Sequence, residues 1–484
     1  MNSFIEIEGA LFMHGLARKN KWFILIITVL APFMATLDAS VVNIAQPVMA
    51  RGLHVDSGTI AWVANAYTVT LTATILFFGR LGDLKGQTRI FEFGTLIFTV
   101  GSVLCSLSPT FQILIGARVF QALGASATMA NSQGIIVRTF PANERGKALG
   151  INGAFVALGL VVGPSVGGFI ISCAGWPYMF WINVPFGIFI LIASITAFSK
   201  EESKEGRLDF WGTVSFAATM ASFFYALQEG QIKGFSNPVI LICFAVAVIC
   251  FVVFLIRQRR SQQPLLDLKI FQNRQFSVSI VCAFISFAAI GCFTLVAPFY
   301  LEDVRSLSPA MAGLYMTSYS LMFIIISVLS GTLSDKIGAE GLTVVGLILL
   351  GIGAVLTSVL NVDTPFIAIA LSFALMGIGN GLFQSPNNRL VMSSVPKDKY
   401  GIGGSVNGLM RYIGQAAGIA VSNVLLYGGM SAKLNRHITN YIPGHADAFL
   451  FGMRLACMVA AIICFIGGVI TVIRFCTAHR KAAE

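Results

Sequence analysis

Asp38 stands inside an otherwise uncharged, mostly apolar run extending from about position 22 to 48. An acid in such a run is normally paired with a cation or faces a polar cavity, because an isolated charge in hydrocarbon is costly. A carboxylate that alternates between a cation's neighbourhood and a desolvated one changes its proton affinity. The chemistry that suits Asp38 is therefore proton loading and release, and Arg118 is its candidate partner. At 1.5 Å per residue, Asp38 lies roughly 24 Å from one end of its segment and Arg118 roughly 10 Å from the opposite end of its own. In a hydrocarbon layer about 30 Å thick the two share a depth, so they can meet if their segments are neighbours. The alternative is a purely structural ion pair. His14, His54, His437, His445 and His479 all lie outside the apolar segments, which leaves Asp38 as the only acid deep within one.

The elements that must position these groups are long apolar segments. The 484 residues are 56% hydrophobic and 11% charged, whereas a soluble protein carries about a quarter charged residues. Fourteen segments approach the ~20 residues that one bilayer crossing needs. They lie near 22–48, 59–79, 90–107, 111–137, 147–173, 177–198, 210–229, 237–257, 275–300, 309–333, 341–360, 364–389, 401–427 and 448–475. Helices are expected, since backbone groups in lipid must bond within their own segment, and the alternating pattern of a barrel is absent. The expected fold class is an all-α membrane protein.

The net charge of +11 follows the same plan. With a cytoplasmic N-terminus, 24 of the 32 lysines and arginines fall in inside segments and five in outside loops. This is the positive-inside pattern, with both termini cytoplasmic, and it calls for no nucleic-acid partner. The first run is read as a retained span, with no cleavable signal peptide; Met1 or Met13 could be the start. The nine cysteines form no CxxC pair and suggest no metal site. No GxxxxGK phosphate loop occurs, and no hydrophilic stretch is long enough for a catalytic domain, so neither ATP hydrolysis nor an appended enzyme is expected.

An internal repeat divides the chain. GRLGDLKG (79–86) returns as GTLSDKIG (331–338), and PANERGKALGING (141–153) as PKDKYGIGGSVNG (396–408). The expected organisation is a cytoplasmic tail (1–21), a six-helix bundle (22–198), an inserted helix pair with cytoplasmic linkers (199–274), and a second six-helix bundle with its tail (275–484). Transporters built from such halves bind their cargo at the interface between them, near mid-membrane.

Around the first repeat, Asp83 sits at the membrane edge beside Arg80, Lys85 and Arg89, framed by Gly79 and Gly86. Its carboxylate can pair with Arg138 or Arg145 of the next loop, or sit at a helix N-terminus. Asp335 is its counterpart. Such contacts would act as a conformational latch. Gly159, Gly163 and Gly167 recur every four residues with Pro164 and Gly168 beside them, a small-residue stripe that lets another helix approach closely. Asn131, Ser132 and Gln133, and later Pro386, Asn387 and Asn388, could join helices as a gate. Asn380, Gln384, Asn387, Asn407 and Arg411 are candidates for lining a cavity.

The GxLxDxxG loop resembles the signature of the major facilitator superfamily, although Leu84, Gln87 and Thr88 stand where basic residues are common. GLVVGPSVGG (159–168) resembles the antiporter motif of its exporters. LDASVVNIAQP (37–47), DFWG (209–212), WPYMFWINVPFG (176–187) and GIGNGLFQSPNN (377–388) resemble its fourteen-span drug:proton antiporter branch, often called EmrB/QacA-type. RVFQALGAS (118–126) resembles the Arg motif of the fourth span, with Ala122 in place of a glycine. The resemblance implies that spans 1 and 4 both line the cavity, where Asp38 and Arg118 are expected to approach, directly or through water. The resemblance covers nearly the whole chain. It implies a major facilitator fold of two six-helix bundles plus two inserted helices. It also implies proton-coupled export of amphipathic small molecules such as drugs or biocides, at the cell (inner) membrane. The expected partners are the bilayer, the cargo and the proton, with no cofactor. The chain is expected to act as a monomer, or with an envelope adaptor in a double-membraned host. Three buried arginines against one acid leave open a dedicated, anionic metabolite as cargo. A non-transporting sensor and an enzyme of lipid-linked substrates fit the repeat less well.

Overall fold

The computed structural model describes residues 2–55, 57–199, 201, 203–204, 206, 208–436, 442 and 444–483. Side chains are described except at 2–20, 57–58, 161, 164–165, 231–232, 309–310 and 475–483, so the side chain of Pro164 lies outside the described residues. Every regular element among them is helical. The long helices are α1 (Asn2–Gly52), α2 (Trp62–Lys85), α3 (Gln87–Ser106), α4 (Phe111–Thr139), α5 (Arg145–Ala174), α6 (Asn183–Ala197, after the single turn Tyr178–Trp181) and α7 (Phe210–Lys233). There follow α8 (Pro238–Arg260), α9 (Arg274–Phe299), α10 (Pro309–Ile337), α11 (Glu340–Ser358), α12 (Phe366–Ser393), α13 (Tyr400–Leu434) and α14 (Ala446–Ala483). Among the described residues, 13 helical segments are long and apolar enough to cross a membrane, and α5 adds a further helix of 30 residues. The segment expected as an N-terminal tail is helical from Asn2 and continuous with α1.

α1–α6 form one bundle and α9–α14 the other. One buried core centres on the first bundle and reaches Phe276 of α9, Val391 of α12 and Val406 of α13, and a second lies within the other bundle. Phe216, Met220 and Phe224 of α7 and Phe254 of α8 join the first core, so the inserted pair packs with that half. Asp209 fixes its base: the carboxylate caps α7 at Gly212 N (3.0 Å) and takes 2.7 Å from Arg257 Nε of α8. Lys399, ahead of α13, pairs with Asp267 of the α8–α9 linker at 2.6 Å. Partial burial raises the Asp267 carboxyl, but the Lys399 ammonium and the Lys269 backbone N–H and charge together outweigh it and hold the carboxyl below its ordinary value.

The halves meet along α5–α10, α2–α13 and α4–α13. All three contacts involve the end of the molecule that carries the 79–86 and 331–338 loops, here termed the latch end.

The glycine stripe works in packing α5 on α1. A Cβ on Gly163 would stand 2.5 Å from Ser40 Cβ, and one on Gly167 2.8 Å from Val41 Cγ1. Gly159 faces Thr36 and the backbone of Phe33 and Leu37. Together these contacts bracket Asp38 on α1. Gly168 departs from the expected grouping: it faces open space, because it falls off the four-residue stripe. Gly163→Val is therefore expected to lower the stability of the detergent-purified protein by about 1–3 kcal/mol. Gly168→Ala is expected to leave it unchanged or slightly raised, as read from thermal unfolding.

Candidate functional site: a buried ion pair above a two-part latch

The Asp38 carboxylate and the Arg118 guanidinium form a direct ion pair, 2.5 Å from Nη1 to Oδ2, with side-chain exposures of 1% and 0%. Arg118 lies two turns into α4, whose N-terminus is capped by the Thr110 hydroxyl. Its Nε donates to Val63 O of α2 at 3.0 Å, its Nη1 also reaches Gln121 Oε1 at 2.7 Å, and its Cζ lies 4.3 Å from the Tyr67 ring centroid. The other carboxylate oxygen, Oδ1, accepts from Gln121 Nε2 at 3.0 Å and Asn183 Nδ2 at 2.9 Å. Gln121 is itself oriented by Ser102 Oγ at 2.8 Å. Asp38 thus accepts from three side chains, the arrangement of an ionised acid. The unmatched polar atoms around it are Arg118 Nη2, Tyr67 OH and Asn183 Oδ1. Sequence reasoning found the pair but not Asn183 or Ser102. The signal for Asn183 was a lone amide within the apolar WPYMFWINVPFG string.

A pair sealed this way is costly to disturb. Removing one partner of a buried pair typically costs about 3–5 kcal/mol, because the other charge is left uncompensated. A proton on Asp38 would weaken its hold on Arg118 and free the guanidinium to seek another partner. The geometry can therefore convert a protonation event into a change at the α1–α2–α4 contact.

At the latch end, two carboxylates cap helices of the opposite half. Asp83, at the end of α2, accepts from Gly401 N at 2.7 Å and Ile402 N at 3.0 Å in the first turn of α13. Asp335, at the end of α10, accepts from Gly146 N and Lys147 N, each at 2.9 Å, in the first turn of α5. Unpaired amides and the helix dipole make an N-terminus a natural seat for a carboxylate. Glycine is required there: a Cβ would stand 2.8 Å from Asp83 Oδ1 at Gly401 and 2.7 Å from Asp335 Oδ1 at Gly146. Gly79 likewise packs on the Gly401 backbone, and Gly86 turns the chain between α2 and α3 at φ +101°.

The arginines expected to hold Asp83 are engaged elsewhere. Arg138 pairs with Glu201 at 2.7 Å and donates to Lys397 O at 3.2 Å. Arg145 Nε donates to Phe140 O at 3.1 Å, and Arg89 is exposed and lies off the contact. Glu201, which sequence reasoning missed, caps α3 through Gln87 N (3.0 Å) and Thr88 N (3.1 Å). Gln87 Nε2 bonds Asp83 Oδ1 at 3.0 Å, and Arg389 Nε reaches Asp335 at 3.3 Å.

Between latch and ion pair lies a seam of amides. Asn407 Nδ2 donates to Gln133 Oε1 of the first half (3.2 Å) and to Asn388 Oδ1 (2.8 Å), and Gln384 Nε2 reaches Asn388 Oδ1 at 3.4 Å. Over it sits a cavity of about 20 Å³ whose lining includes Ser132, Gln133, Asn152, Arg411 and Tyr412. Of the expected cavity residues, Arg411 lines this space, and Asn407 and Gln384 belong to the seam beneath it. Asn380 and Asn387 do not. Asn380 joins Ser286 to Tyr319 within the second bundle, and Asn387 donates to Ser279 O, because both face neighbouring helices of their own half.

Residues 28–419 match the Major Facilitator Superfamily, and the chain belongs to that family of membrane transporters. It is 36% identical to the riboflavin transporter RibZ of Clostridioides difficile, over 94% of this chain and 97% of that one. It is 30% identical to the multidrug resistance protein Stp of Mycobacterium tuberculosis, over 88% and 79%. The fold matches the proton:xylose symporter XylE with a TM-score of 0.64, covering 93% and 95% of the two chains at 12% identity.

A carboxylate at a helix N-terminus is worth about 0.3–2 kcal/mol. Asp83→Asn should therefore shift the balance toward the unlatched form by about 2- to 30-fold. Spin labels at Lys85 and Asp398, both exposed, read this as a larger long-distance population in pulsed dipolar spectroscopy.

Proposed function

We propose that this transporter exports amphipathic small molecules in exchange for protons, by alternating access between its two halves, as a member of the fourteen-span drug:proton antiporter branch. The observation that carries the reading is the Asp38–Arg118 pair, a titratable group buried inside a half that must rock. The lysine and arginine distribution supports a latch end on the cytoplasmic side of the cell membrane. The latched form then faces outward: the cytoplasmic end is closed, and Asp38 awaits a proton from outside. Protonation loosens Arg118, the latch opens inward, and the proton leaves as cargo binds. The proton gradient supplies the energy, without a cofactor. The GxxxGPxxGG stripe of α5 and the likeness to a protein named for multidrug resistance support export.

A second reading, a dedicated metabolite as cargo, is favoured by the likeness to a riboflavin transporter over nearly the full length of both chains.

Proteoliposomes with an imposed pH gradient and a pH dye test the reading. Riboflavin and a panel of amphipathic drugs are added in turn, and at least one should release protons. Asp38→Asn should abolish gradient-driven accumulation while sparing gradient-free exchange of labelled for unlabelled cargo. Undiminished gradient-driven accumulation in Asp38→Asn would sink the assignment of Asp38 as proton carrier.

A further inference from the structure

Arg411 of α13 lines the cavity between the halves and has no carboxylate within ion-pair distance among the described residues. Its guanidinium instead lies 5.6 Å from the Phe287 ring centroid. No acid lines that cavity. The acid nearest in function, Asp38, is sealed by three donors and spoken for by Arg118. The cavity therefore presents one uncompensated positive charge. Of the other polar groups in its lining, Ser132, Gln133, Asn152 and Tyr412, the Asn152 Oδ1 acceptor is buried and unmatched, as is Asn407 Oδ1 in the seam beneath. Pro32, Ile75, Met129 and Val156 supply its apolar wall.

The space of about 20 Å³ in this latched form is room for one water. The same lining is what a cargo meets once the halves part. Resting on the transporter reading above, we infer that the cargo is an amphipathic organic anion that also carries an N–H or O–H donor, and that organic cations are excluded. The anion pairs with Arg411, the donor bonds Asn152 Oδ1, and the apolar body lies against Met129 and Val156. A guanidinium repels a cation about 6 Å away by about a hundredfold in affinity, at an effective dielectric near 20. A site built around unmatched hydrogen-bonding groups also rejects ligands that leave them unmatched. An anion leaving as a proton enters moves two positive charge equivalents inward, so both the membrane potential and the pH gradient drive export.

The test is equilibrium binding to the full-length protein in nanodiscs without any gradient, so its result stands whether or not transport is proton-coupled. Fluorescein in mildly acidic buffer, where it is an aromatic anion that keeps a phenolic O–H, and tetraphenylphosphonium, an aromatic cation, are the probes. Fluorescein is expected to bind at least about tenfold more tightly. Arg411→Met should erase that preference, Arg411→Lys should keep it, and Asn152→Ala should weaken fluorescein alone. The lysine and alanine variants keep the test valid if Arg411→Met misfolds. Tetraphenylphosphonium binding as tightly as fluorescein, an unchanged ratio in Arg411→Met, or binding of neither probe overturns the inference.

Discussion

The two halves are held by a reciprocal exchange: each lends a carboxylate to the N-terminus of a helix in the other. Asp83 of α2 caps α13, and Asp335 of α10 caps α5. A charge at a helix terminus is worth at most about 2 kcal/mol, so the two together bias the closed form without freezing it. That scale suits a transporter, whose states must interconvert. Longer surfaces such as the α5–α10 contact can then part once the caps let go. The exchange also explains the glycines at 79, 146 and 401, which bring oxygen and backbone into contact where any side chain would intervene.

The ion pair and the latch are mechanically adjacent. Asp38 rides on α1, which packs against the glycine stripe of α5 with almost no intervening side chain. The first turn of α5 is the seat of Asp335. On the other side, Arg118 touches Val63 and Tyr67 of α2, and α2 ends in Asp83. A change in how Arg118 holds α1 and α2 is thus applied to the two helices that carry the latch.

Much of this was legible before any coordinates. The apolar segments and the repeat outlined the halves, and depth arithmetic together with the family resemblance brought Asp38 to Arg118. The partner of Asp83 was not legible, because nearby arginines offered a plausible charge pair. Its real partner is backbone more than 300 residues away. The repeat held the clue: Asp335 answers Asp83, and Gly401 answers Gly146, so each motif supplies what its counterpart needs. Glu201 was missed because a lone acid in a short polar linker looks merely solvated. Asn380 and Asn387 lie off this cavity, on partners in their own half, because helical position in sequence does not reveal which neighbour a polar side chain faces.

The central claim is that protonation of Asp38 governs the latch. The most direct measurement is the Lys85–Asp398 spin-label distance as a function of pH, in the wild-type protein and in Asp38→Asn. The account predicts that acid lengthens the distance in the wild type, and that Asp38→Asn is already long and insensitive to pH. A wild-type distance indifferent to pH, or an unchanged pH response in Asp38→Asn, would contradict it.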